Sequence, residues 1–72
     1  PMSPPLTLAA CAVGEVVYAW RDGWLRCRVA MLPTRHSSAV AVRWALMTSW
    51  GDNGGWSDLD VLPGATPARR AT

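Results

Sequence analysis

Five tryptophans and one tyrosine supply all the aromatic character of this chain, which contains no phenylalanine. Trp20, Trp24, Trp44, Trp50, Trp56 and Tyr18 offer flat ring faces whose negative quadrupole attracts a cation within ~6 Å of the centroid. Every one of the seven basic residues is an arginine, and a guanidinium both stacks on such faces and forks onto carboxylate or phosphate. The chemistry on offer is recognition by stacking and charge. Catalysis, by contrast, lacks its parts. His36 is the one histidine, and Ser37 and Ser38 beside it have no orienting third group at motif spacing. The five acids are scattered, and the glycine-rich stretch 51–55 lacks the Lys-Ser/Thr that follows a phosphate-binding loop. Cys11 and Cys27 are too few for a disulfide framework and lack metal-ligand spacing, so neither metal nor cofactor is expected. Two such cysteines fit a reducing, intracellular compartment.

The elements that must position these rings have little chain to work with. At 72 residues, 50% apolar and 17% charged, the sequence allows one small domain that buries ~60% of its unfolded surface. That excludes a Rossmann fold, a TIM barrel or a two-lobed enzyme. The apolar fraction argues equally against disorder. No apolar run approaches the ~18 residues that span a bilayer, so no membrane partner is expected. Seven arginines against five acids give a net charge of +2, which permits nucleic acid without requiring it. Residues 1–6 are read as the edge of a module cut from a longer chain, with no signal segment. Composition divides the rest into a flexible tail over residues 1–10, a folded domain over 11–63 and a second flexible tail over 64–72, where PGATPARRAT (63–72) carries no bulky apolar residue.

Within that domain the pattern is β. Residues 15–20 are rich in branched and aromatic side chains and end at Arg21–Asp22–Gly23, a hairpin signal. The next run alternates, with Leu25, Cys27, Val29 and Met31 on one face and Trp24, Arg26, Arg28 and Ala30 on the other. Two registers remain open at the hairpin. A two-residue loop sets Val16, Tyr18 and Trp20 beside Leu25, Cys27 and Val29, whereas a three-residue loop sets Trp20 beside Trp24 and Tyr18 beside Arg26. Either register keeps Cys11 far from Cys27 in the ladder and argues against an intrachain disulfide. After a loop at 32–38, a third run puts Val40, Val42, Trp44 and Leu46 on one side. Past the break at 51–55, Trp56–Ser57 reads as a short fourth strand and residues 58–60 as a helical turn. Four to five short strands around a small core describe an all-β, SH3-like barrel, closed so as to remove exposed edges.

The residues of VGEVVYAWRDGWLRCRV (13–29) resemble the first hairpin of Tudor domains, and WSDLDVLP (56–63) is similar to their closing segment. The nearest likeness is to the histone-reading Tudor domains of Polycomb-like proteins. Chromo-barrel relatives share the opening, and their W-x-x-W ending is loosely echoed by SWGDNGGW (49–56). The resemblance covers roughly fifty residues and implies a Tudor-type barrel of the Royal grouping that holds a methylated lysine or arginine in an aromatic cage. It implies Trp20, Trp44 and Trp50 as cage walls, with Tyr18 or Trp24 supplying a further wall and Asp52 tuning the methylation state. Arg26 stands where many such domains carry a tyrosine. A methylated histone or other methylated peptide, a larger chromatin complex and a nuclear location are the partners and place so implied, with nucleic acid secondary.

Each tryptophan also has a packing role open to it. A core this small is expected to use two or three of them, Trp56 and one of the hairpin pair first, while Trp50 in its glycine-rich loop has the weakest structural reason to be large. Two other functions stay in view. One is nucleic-acid binding through Arg26, Arg28, Arg43, Arg69 and Arg70, with tryptophans stacking on bases. The other is a docking scaffold with no methyl-ligand cage.

Overall fold

The computed structural model describes residues 5–51 and 54–70. After a short 3-10 helix at Leu8–Ala10 come five strands: β1 Val16–Trp20, β2 Trp24–Met31, β3 Ala39–Ala45, β4 Trp56–Pro63 and β5 Ala68–Arg70. They form one antiparallel sheet in the order β4-β3-β2-β1-β5. The fold is all-β and barrel-like, but the sheet is not closed: β4 and β5 are its edges.

Closure is replaced by a plug from the N-terminal segment. Thr7 bridges Pro67, the Ala68 N–H donates to the Leu6 carbonyl, and the Leu8 N–H donates to the Thr66 carbonyl. These bonds occupy the β5 edge that closure would have occupied. Residues 6–8 thus join the fold, and Leu8 is 0% exposed at the centre of the core. Within the second segment expected to be a tail, residues 68–70 pair with β1. Gly64 is held close in the same region, where a Cβ would lie 2.4 Å from the Ser38 carbonyl oxygen.

The core alternates as a sheet face must. Val17 and Ala19 from β1, Cys27 and Val29 from β2, and Val40 and Val42 from β3 are buried together with Leu8, Cys11 and Ala68. Leu25 and Met31 share the parity of Cys27 but are exposed at the two ends of β2, and a register shift separates Val29 from Met31. None of the five tryptophans is among the buried residues. The expected packing role falls to valine, alanine, cysteine and one leucine instead, and only Trp44 leans on the core. The helical turn expected at 58–60 is absent. β4 runs unbroken through it because β3 supplies a partner ladder from Ala39↔Pro63 to Ala45↔Trp56, and pairing overrides the local turn preference of Ser-Asp.

Candidate functional site

The hairpin register decides which side chains meet. Trp20 pairs with Trp24 and Tyr18 with Arg26, so Arg21, Asp22 and Gly23 form a three-residue loop. Asp22 takes a left-handed φ of 53° and Gly23 one of 143°, the second open to glycine without strain. With Val17 and Ala19 in the core, this register sends Tyr18, Trp20, Trp24, Arg26 and Arg28 to the outer face of the sheet. The rings of Trp20 and Trp24 meet edge to face at 5.3 Å with 70° between planes.

On β3 a register shift between Arg43 and Ala45 breaks the ladder beside Trp44. The Trp44 backbone N–H donates to the Ser57 hydroxyl at 2.8 Å instead of to a ladder carbonyl. This irregularity leaves the ring at the end of the core, against a cavity of about 600 Å³. Tyr18, Trp24 and Trp44 give the cavity its aromatic walls, Leu25 and Met47 its aliphatic ones, and Arg26 a cationic one; Ala45 and Gly51 complete the lining. The volume falls within the range of small-molecule and side-chain sites.

A polar cluster fixes the edge of the Trp44 ring. Its indole Nε1–H donates to Asp60 Oδ2 at 2.9 Å, and Arg21 Nη1 donates to the same oxygen at 2.5 Å. The Arg21 guanidinium also lies over the Trp44 ring, 5.7 Å from its centroid. The Trp44 indole, then Arg21, then the Val61 N–H hold the Asp60 carboxyl below the usual carboxylate range. Other rings carry cations too. Arg69 lies 4.8 Å over Trp24, while Arg28 at 4.8 Å and Arg26 at 5.7 Å lie over Trp56.

The residues expected at the site therefore divide. Tyr18, Trp24 and Trp44 come together on one cavity. Trp20 is 48% exposed and braces Trp24 from outside the lining. Trp50 is 91% exposed in the 46–55 loop and lines no part of it; the cross-loop bridge Thr48↔Gly51 carries it outward. Asp52 lies outside the described residues. Arg21, Met47 and Asp60 are additions. Asp60 was hidden by the helical reading of 58–60; as strand residues, Asp60 and Leu62 alternate with Leu59 and Val61, and that parity turns Asp60 toward the Trp44 side.

Among the described residues, no group of three or more His, Cys, Asp or Glu is placed to hold a metal ion. Both cysteines are free and buried, and burial pushes the Cys27 thiol up to about 11. Among the described residues, no helix is long and apolar enough to cross a membrane. Compared with known proteins, the chain matches no family model, no curated protein and no solved structure.

Proposed function

We propose that the chain is a Tudor-like reader module that takes the methylated lysine or arginine side chain of a peptide into the cavity walled by Tyr18, Trp24 and Trp44. The observation that carries this reading is the convergence of those three rings on one open cavity. A methylated cation is poorly hydrated and gains from contact with ring faces. The rings nearby already attract guanidinium: Arg21 lies over Trp44 and Arg69 over Trp24. Leu25 and Met47 would contact the aliphatic stem of the ligand, with Met47 adapting to its shape. The resemblance of the hairpin and closing segments extends the proposal to a histone tail as the peptide, to the nucleus, and to assembly within a chromatin complex.

Affinity is expected to be modest, because a cation–π contact contributes about 0.5–2 kcal/mol. Tandem modules on one assembly would raise it through effective concentration. Titration of trimethyllysine, dimethyllysine, dimethylarginine and unmodified peptides of one sequence, followed by tryptophan fluorescence, tests the reading. Preference for at least one methylated form, lost in Trp24→Ala, supports it. Equal response to modified and unmodified peptides overturns it.

A further inference from the structure

The sheet has a second surface whose composition the cavity does not explain. Cross-strand register places Arg69 opposite Tyr18, Tyr18 opposite Arg26, Val16 opposite Arg28, and Arg28 opposite Arg43. Four arginines from β5, β2 and β3 thus share the outer face with Trp20 and Trp24. Three of the described carboxylates lie elsewhere, and Asp22 sits in the hairpin loop between Trp20 and Trp24. Asp60 pairs with Val42, a core residue, and holds Arg21, while Glu15 lies in the turn before β1 and holds Arg70. Asp58 precedes Leu59, the partner of Arg43, and so has the opposite parity.

Arg28 and Arg43 are the sharpest feature of this face. Like charges directly opposite on neighbouring strands repel and destabilise the sheet. Among the described residues neither they nor Arg69 has a carboxylate partner. Arg43 donates to the Ser57 carbonyl at 3.0 Å, and Arg28 rests on the Trp56 ring at 4.8 Å. Neither contact removes the charge. Arg69 rests on Trp24, which is 37% exposed, beside the more exposed Trp20. Cations spread over several strand spacings and interleaved with accessible indole rings match a partner that is both polyanionic and stackable. An acidic peptide would satisfy the charge and leave the rings idle.

We propose that this outer face binds single-stranded nucleic acid, with phosphates held by Arg28, Arg43 and Arg69 and bases stacked on Trp20 and Trp24. Backbone charge gives such binding its affinity and its salt dependence, and stacking makes it tolerant of sequence. The surface shares Trp24 with the methyl-cation cavity, but none of its three phosphate-binding arginines lines that cavity.

The test is fluorescence polarisation of a labelled single-stranded oligothymidylate and an RNA of equal length, with polyglutamate as an anionic control, across a salt series. Three neutralised phosphates predict a log–log salt slope of about −2 for single strands. The double variant Arg28→Gln, Arg43→Gln, checked for folding by circular dichroism, is expected to bind about tenfold more weakly with a slope nearer −1, while its response to the methylated peptides is unchanged. Absence of oligonucleotide binding at low salt overturns the proposal. So does binding that the folded double variant retains in full, or polyglutamate binding as tight as that of the oligonucleotide.

Discussion

Asp60 ties the candidate site to pH through two unlike donors, the neutral indole of Trp44 and the charged guanidinium of Arg21. Both favour the ionised carboxylate, so its folded pKa lies below the ordinary value of about 3.9. A depressed acid contributes its stabilisation fully above that ordinary value and loses it as pH falls through the lower folded one. Tryptophan emission should accordingly hold steady from neutrality to about pH 4 and change only below it. In Asp60→Asn the acid transition should vanish; a transition of undiminished size there would assign it to another group. Arg26 bears on affinity. It lines the cavity where an aromatic side chain would add a further wall, and a ring facing a cation contributes about 0.5–2 kcal/mol. Arg26→Tyr should therefore raise affinity for a methylated peptide roughly three- to tenfold, since about 1.4 kcal/mol is tenfold. Unchanged or weaker binding in the titration would show that a ring at this position adds no wall.

At the scale of elements, the N-terminal segment carries more of the fold than its composition announces. Among the described residues Leu8 is the largest fully buried side chain, in one core cluster with Cys11, Val17 and Ala68. Leu8→Ala should cost about 2–5 kcal/mol, read as a lower midpoint in urea unfolding. A change within about 0.5 kcal/mol would place that segment at the surface. What could be read from the chain beforehand follows the physics of each element. β1 to β3 were legible because each buries one face, and a period of two is then written into the residue types. The hairpin register was not, since Asp-Gly serves a two-residue or a three-residue loop equally well and only the left-handed Asp22 decides between them. β5 and its surroundings bury Gly64, Thr66 and Ala68, residues too small to leave an apolar signal. The full length of β4 depends on its neighbour β3, a tertiary influence that Ser-Asp-Leu-Asp conceals. At the site, Tyr18, Trp24 and Trp44 were legible as rings of the right type. That Trp50 stands apart, and that Arg21 and Asp60 join Trp44, depends on loop path and strand parity, which local sequence does not specify.

For the whole molecule, the division of labour between core and rings is the main result. A domain of this size is stable by only about 4–11 kcal/mol, and this one builds that margin from valines, alanines, cysteines and Leu8. The tryptophans are left on surfaces: Trp24 and Trp44 join Tyr18 around the cavity, Trp20 braces Trp24, Trp56 lies under Arg26 and Arg28, and Trp50 is displayed on a loop. Charge is divided too, with Asp60 and Glu15 paired to Arg21 and Arg70 and four other arginines on the outer face. The cavity is where the proposed reading is most exposed to test. The most direct measurement follows the five tryptophan indole N–H signals by nitrogen-edited NMR while a trimethyllysine, dimethyllysine or dimethylarginine peptide is added. The account predicts that the Trp24 and Trp44 signals move with at least one methylated form, that Trp50 stays in place, and that the unmodified peptide leaves all five where they were. Movement of Trp50 alone, or equal movement with the unmodified peptide, would contradict it.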